Sequence, residues 1–467
     1  MKQELFSERN ITKVYRKFVL FLILIVTLSS FAFATDDSVI FTEKLYDGKS
    51  FCEYAEIQDM PEIKGHSAYI YNVETGSVMY RKNQDDVVYP ASTVKLMTAI
   101  VAYENIPDLQ TVITASKSAV NATKGSNMSI KAGEQFTAEQ LLNGLLITGA
   151  NDAANVLAEY VAGDINSFCQ MMNARAKEIG AVNSNFTNPT GLHSVDMITT
   201  AKDIAIIGNH FRSLNKIFEM SCTTRFVVEP TPFTSQQRIL LNRNLLISKV
   251  RSEKYYYPGA KGMSLGNTPE AGDCIVSSVS DETGMTYICV VMNAYSTDDE
   301  NHACIDATAL MNMVLSNFKY SGILSEKTII SEMPVELAVD TDYITLLPDS
   351  GLNALLPKDF NYETDISIEP RISYSAATAP IKEGDAYGEA VIKYKNDIIL
   401  GSVKLVSGRN VEKSNVLYLL DKTEKIFTSR WFKVFAVTAT LLLILYFILS
   451  AYYISRHRRY RPRRKRY

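Results

Sequence analysis

Val434 to Ile454 is a run of 21 residues without a charged side chain, long enough to cross a bilayer as a helix. Eight basic residues follow it: Arg456, Arg458, Arg459, Arg461, Arg463, Arg464, Lys465 and Arg466. Basic residues beside a span stay on the cytoplasmic side, and such a cluster argues against a buried core helix. At the other end, Lys13, Arg16 and Lys17 precede an apolar run from Phe18 to Leu28, and Ala32-Phe33-Ala34 supplies small residues for cleavage. That pattern reads as an export signal over residues 1–34. The expected product is a single-pass protein of the cell membrane, with its body on the extracytoplasmic side and a basic cytoplasmic tail over 455–467.

Charge separates the parts. The whole chain sums to −3; residues 1–34 carry +3 and the tail +8, so the exported body carries −14. That disfavours nucleic acid as a partner. The tail suits anionic lipid, and the anchor makes membrane lipid an expected partner. The six cysteines (Cys52, Cys169, Cys222, Cys274, Cys289 and Cys304) contain no Cys-x-x-Cys, and the five histidines form no ligand pair. No metal or other cofactor is expected. Cys274 and Cys289 fall on two strands expected to pair, which does not by itself predict a bond.

Between signal and anchor, Ala68 to Asn72 and Ser77 to Tyr80 alternate around Glu74-Thr75-Gly76, a hairpin signal. Thr137-Ala138-Glu139-Gln140 is a capping box ahead of the apolar run Leu141 to Ile147. Gly149-Ala150 breaks that run, and helices are expected over Asn151 to Tyr160, Ser167 to Ile179 and Ala201 to His210. Strands are expected over Gly272 to Ser280 and Met285 to Ala294. Ile305, Ala309, Leu310, Met313, Val314 and Phe318 mark an amphipathic helix. Strands at both ends with helices between suggest one sheet shared by the first hairpin and the last strand pair. From about Ser325 short strand-like runs recur: Val335 to Val339, Tyr343 to Leu347, Ile366 to Ile372, Ala390 to Tyr394 and Ile398 to Leu405. They predict a small β-rich domain over 325–425, after a catalytic domain over 35–324. Lys422 to Lys433 reads as a spacer before the span 434–454.

Within the larger domain the chemistry concentrates on Tyr89-Pro90-Ala91-Ser92-Thr93-Val94-Lys95-Leu96-Met97-Thr98. Ser92 and Lys95 share a helix face at i, i+3. A serine hydroxyl needs a neighbouring base to become a nucleophile, and a buried lysine held partly neutral is such a base. The residues from Leu96 to Ala102 are almost all apolar, so the lysine enters a buried helix, where a charged side chain has a task or a partner.

The same stretch resembles the active-site segment of the D-alanyl-D-alanine carboxypeptidases, the low-molecular-weight penicillin-binding proteins. Asn151-Asp152-Ala153-Ala154, Asn188-Pro189-Thr190-Gly191-Leu192 and Thr268-Pro269-Glu270-Ala271-Gly272 match further stretches of that family in order. Ala379-Pro380-Ile381 and Gly384 resemble its small β domain. The resemblance covers roughly residues 40 to 410. It implies an α+β fold of the penicillin-binding-protein and β-lactamase-like transpeptidase type, an antiparallel sheet with helices on both sides. It also implies a serine peptidase that trims peptidoglycan stem peptides and is inhibited by β-lactams. A β-lactamase shares Ser-x-x-Lys, but no deacylation motif is present.

The resemblance implies catalytic roles for Ser92, Lys95 and Asn151, and substrate contacts at Ser264, Gly266 and Asn267. The oxyanion hole would use the backbone N–H groups of Ser92 and Asn267. Two family motifs are degenerate. Ser-x-Asn reads Gly149-Ala150-Asn151, and Lys-Thr-Gly reads Ser264-Leu265-Gly266. The missing lysine is expected to leave Lys95 a higher pKa and a weaker role as base. Losing one or two charged hydrogen bonds, each about 1.5–3 kcal/mol, corresponds to very roughly 10- to 10⁴-fold in rate. Lys261 lies an odd number of places before Ser264 and points to the other face of a strand unless a bulge intervenes. Thr148 lies one place out of register. Both read as surface or loop residues. The competing function is a catalytically impaired relative with a wall-binding or regulatory role in the envelope.

Overall fold

The structure, a computed structural model, describes residues 41–297 and 300–458. The export signal and the tail beyond Arg458 lie outside the described residues. The chain divides into two compact units, with the break between Lys319 and Tyr320.

The first unit is built on a five-stranded antiparallel sheet. The first hairpin supplies β1 (Ser67–Asn72) and β2 (Val78–Lys82). The later strands are β3 (Ala260–Thr268), β4 (Gly272–Ser280) and β5 (Thr286–Ala294). Their order is β2-β1-β5-β4-β3, so the first hairpin and the last strands share one sheet. In the β4–β5 register Cys289 lies opposite Ser277, not Cys274, and all six cysteines are free thiols.

Alternation along β5 covers both faces of the sheet. Ile288, Val290 and Met292 join the main apolar core, and Ile288 approaches helix α5 (Ala201–Ser213) at Gly208. Cys289 faces the other way, where its thiol meets the Ala307 carbonyl of α6 (His302–Asn317). Helices therefore pack on both sides.

The larger helical layer centres on α1 (Lys95–Asn105), buried from Lys95 through Ala102. Around it lie α2 (Ala138–Thr148), α3 (Asn151–Ala162) and α4 (Ile165–Glu178). The capping box forms as expected: Thr137 Oγ1 accepts from the Gln140 N–H, and Gln140 Oε1 from the Thr137 N–H. Gly149 then ends α2 in the left-handed region at φ 65°, a conformation that glycine adopts without steric cost.

The second unit holds a six-stranded sheet. Its strands are β6 (Ser331–Glu336), β7 (Tyr343–Pro348), β8 (Ile366–Ile372), β9 (Ala377–Thr378), β10 (Ala386–Tyr394) and β11 (Ile398–Ser407), in the order β8-β10-β11-β7-β6-β9. The stretch expected as a spacer is largely helical instead: α7 spans Asn415–Thr428. Ser414 caps it by accepting from the Leu417 N–H, and Lys425 pairs with Asp421 at i, i+4. Helix α8 (Arg430–Arg458) follows, and its stretch Arg430–Ser455 is long and apolar enough to cross a membrane.

Candidate active site

Ser92 sits in a single 3₁₀ turn, Ala91–Val94, that runs directly into α1. Thr93 Oγ1 donates to the Pro90 carbonyl at 2.6 Å and closes the turn. Ala91 before it has φ 47°, a left-handed conformation costing an L-residue about 1–2 kcal/mol. Two glycines hold the turn there. A Cβ at Gly191 would lie 2.0 Å from the Ala91 carbonyl oxygen, and one at Gly266 would lie 2.4 Å from the Ser92 nitrogen. Gly266 of the degenerate triplet is therefore kept by close packing against the nucleophile.

Lys95 is the first residue of α1 and is 3% exposed. Its Nζ lies 3.1 Å from Ser92 Oγ and donates a second, short hydrogen bond to the Thr190 carbonyl. That carbonyl belongs to the Asn188-Pro189-Thr190-Gly191 turn. Asn188 Oδ1 organises the turn by accepting from the Thr190 N–H at 3.1 Å, the Thr190 hydroxyl at 2.7 Å and the Gly191 N–H at 2.9 Å. Burial, and then the charge of Arg243, push the Lys95 pKa down to about 7. This corrects the expectation of a raised value: the triplet's lysine is gone, but a different cation faces Lys95. The shift brings the free amine, the form that accepts a proton, within reach of neutral pH.

Arg243 was not foreseen. It lies just beyond the strand Arg238–Leu241, between two buried asparagines. Asn242 Nδ2 donates to the Ser221 and Thr223 carbonyls, and Asn244 Nδ2 donates to the Gly262 carbonyl. The Arg243 N–H donates to the Ile147 carbonyl at 2.9 Å. With its backbone pinned on both sides, the side chain enters the cleft lined by Ser92, Lys95, Gly149, Ser264 and Leu265. Its Nη1 donates to Ser126 Oγ at 2.6 Å. A Cβ on Gly149 would sit 3.4 Å from that Nη1, so the guanidinium lies against the place where the family's Ser-x-Asn has its serine. No local sequence signal marks Arg243: its placement rests on contacts that Asn242 and Asn244 make to other segments.

The remaining expected residues are distributed as follows. Ser264 Oγ donates to the Ser92 carbonyl at 3.0 Å, so this hydroxyl braces the nucleophile's backbone. Leu265 presents an apolar side chain to the cleft. Asn267 is exposed on β3, and its Nδ2 donates to Asp273 Oδ1 at 2.6 Å. Asn151 begins α3; its Nδ2 donates to the Lys124 carbonyl at 2.6 Å. Its buried Oδ1 has no hydrogen-bond partner among the described residues. A bulge does intervene between Lys261 and Ser264, yet Lys261 stays exposed and does not line the cleft. Thr148 Oγ1 is turned back onto the Gly144 carbonyl within α2.

Half-buried Ser92 and buried Lys95 meet where the antiparallel sheet packs on the helical layer, an arrangement chemically suited to acyl transfer through a serine. The model of the D-alanyl-D-alanine carboxypeptidase family matches residues 54–296, and the chain belongs to that family. It is 27% identical over 384 residues to the Bacillus subtilis D-alanyl-D-alanine carboxypeptidase DacF, covering 81% of this chain and 92% of the relative. It is 23% identical to DacA of Haemophilus influenzae, over 79% and 88%. Among solved structures, penicillin binding protein 5 from Haemophilus influenzae aligns with a TM-score of 0.55 at 24% identity, over 76% of this chain and 99% of that one. The carboxypeptidase DacD from Francisella tularensis aligns with 0.57, also at 24% identity, over 76% and 95%. These likenesses establish the penicillin-binding-protein carboxypeptidase fold.

Proposed function

We propose that this protein is a membrane-anchored serine D-Ala-D-Ala carboxypeptidase acting on peptidoglycan stem peptides outside the cytoplasmic membrane. One observation carries the reading: Nζ of buried Lys95 lies 3.1 Å from the hydroxyl of Ser92, where burial and then the charge of Arg243 push its pKa down to about 7. Neutral Lys95 takes the Ser92 proton as Oγ attacks the carbonyl of the last peptide bond. The N–H groups of Ser92 and Asn267 receive the developing oxyanion. The bond to the terminal residue breaks, Lys95 returns its proton to the leaving amine, and D-alanine departs. Water activated by the same lysine then hydrolyses the acyl-enzyme. Asn151 Oδ1 is a buried acceptor that an N–H of the bound peptide would satisfy. Helix α8 is the proposed anchor in membrane lipid, and β-lactams are the expected inhibitors.

The test is acylation of the detergent-solubilised full chain by a labelled penicillin, with Ser92→Ala as control. An adduct that disappears in Ser92→Ala supports a working nucleophile, and release of D-alanine from a D-Ala-D-Ala peptide completes the assignment. A folded protein that forms no adduct overturns it. The degenerate wall at Gly149, Ser264 and Leu265 then favours an impaired relative that binds wall peptide without cutting it.

A further inference from the structure

Strand β3 passes the nucleophile at Gly266, where a Cβ would lie 2.4 Å from the Ser92 nitrogen. Two cavities flank that point along the strand. On the side of Ser264 and Leu265, the cleft that contains Lys95 encloses about 20 Å³. On the side of Asn267 and Thr268, a groove of about 550 Å³ opens. Under the carboxypeptidase reading, the cut separates one small residue from a much longer acyl portion. The groove has the volume for the longer piece.

The groove crosses the end of the sheet. From Asn267 on β3 it passes Gly272, where β4 begins, and Asn293 near the end of β5. It reaches Lys64, just ahead of β1, and Lys82, the last residue of β2. Its charged lining is basic: Lys64, His66 and Lys82 line it and, among the described residues, no carboxylate does. The exported body carries −14, so this is a basic recess in an acidic surface. His66 is paired with Asp86 at 3.0 Å. Lys82 Nζ donates to the Ile63 and Gly65 carbonyls at 2.6 and 2.9 Å, and Lys64 Nζ lies 3.4 Å from His302 Nε2. The neighbouring carboxylates have partners of their own. Asp273 accepts from Asn267 Nδ2, Asp306 accepts from the Gly65 N–H, and Glu300 lies within 4 Å of Lys254 and His302.

We propose that this groove binds an acidic segment of the peptide on the acyl side of the cut bond, through the ammonium groups of Lys64 and Lys82. The proposal rests on the carboxypeptidase reading for its ligand. In the order β3-β4-β5-β1, three strand spacings of about 4.8 Å, roughly 14 Å in all, separate β3 from β1. An extended chain advances about 3.5 Å per residue. With the length of a glutamate side chain added, the third or fourth residue before the cut bond brings its carboxylate to the lysines, and the second falls short. The groove then selects among peptides by charge, well away from the reacting atoms.

Binding without turnover tests this. The full chain in detergent carrying Ser92→Ala is titrated with acetylated hexapeptides ending in D-Ala-D-Ala. One glutamate is placed second, third or fourth before the cut bond, and each peptide is compared with its glutamine counterpart. At the third or fourth place glutamate is expected to bind about 3- to 10-fold more tightly, as partly exposed ion pairs allow, and added salt should shrink the gain. At the second place the two should agree within about two-fold. Lys64→Glu leaves the Lys82 hydrogen bonds in place and should erase the preference; Lys64→Arg should keep it, which separates lost charge from lost folding. Equal affinities at every place, a preference of the same size at all three, one that survives Lys64→Glu, or no binding of any peptide overturns the proposal. The two ideas fail separately. Acylation of Ser92 by penicillin without a glutamate preference keeps the carboxypeptidase reading and removes the role of the groove. A position-dependent preference lost in Lys64→Glu, in a protein that penicillin never acylates, does the reverse.

Discussion

The two walls of the cleft have been treated differently. On one wall lie Ser92, Lys95, the Thr190 carbonyl and the glycines that clamp the turn. Each part depends on the others, because the Ala91 conformation, the Gly191 approach and the Lys95 hydrogen bonds occupy the same few ångströms. On the opposite wall, Gly149, Ser264 and Leu265 replace the side chains that the family's motifs carry, and Arg243 supplies the positive charge. The wall built by mutual packing tolerates little change. On the other wall Arg243 acts on Lys95 through charge, second to burial, and a Coulombic influence does not depend on which element delivers it.

The comparison breaks most visibly at the nucleophile. Ser92→Ala should abolish the penicillin adduct, and Lys95→Met should slow acylation by about 10²- to 10⁴-fold, the usual worth of a general base; gel fluorography and stopped-flow kinetics read these. Next comes the packing of the same wall. Gly191→Ala puts a methyl group 2.0 Å from the Ala91 oxygen at a φ of 83°, and should cost more than about 2 kcal/mol in denaturant unfolding. An unchanged unfolding midpoint would show that the turn is not clamped. The charged wall should respond in pH rather than in folding. Arg243→Gln removes one of the two influences that lower Lys95, so the midpoint of the acylation pH profile should move upward from about 7. A midpoint that stays in place would assign the lowered value to burial alone. The smallest effect is expected at Lys261, exposed and outside the cleft despite the bulge beside it: Lys261→Ala should change acylation by less than about two-fold, in line with ordinary surface substitutions.

Much of the nucleophile's wall was legible in the sequence because it is local. The capping box at Thr137, the hairpin around Glu74-Thr75-Gly76 and the strands on either side of Gly284 each follow from residues a few places apart, and each appears in the structure. The Ser92–Lys95 contact follows from one turn of helix. Arg243 was not legible in that way. Its role depends on asparagines at 242 and 244 reaching carbonyls on other segments, and on a missing side chain at Gly149. The left-handed Ala91 was equally hidden, since its cause lies at Gly191, a hundred residues further along the chain. At Lys261 the alternation rule anticipated a straight strand. The strand is bulged, and exposure rather than parity keeps the lysine out of the cleft. Helix α7 has no buried residue to mark an apolar face; its sequence support is the Ser414 cap and the Asp421–Lys425 pair, both polar signals that a spacer can also carry.

The measurement that bears most directly on the account is the rate of acylation of the detergent-solubilised full chain by a labelled penicillin as a function of pH. The account predicts an adduct on Ser92 whose rate rises with pH to a plateau, with a midpoint near 7, as Lys95 loses its proton. A folded protein that forms no adduct at any pH, or one whose rate is still climbing through the ordinary lysine range near about 10, would contradict it.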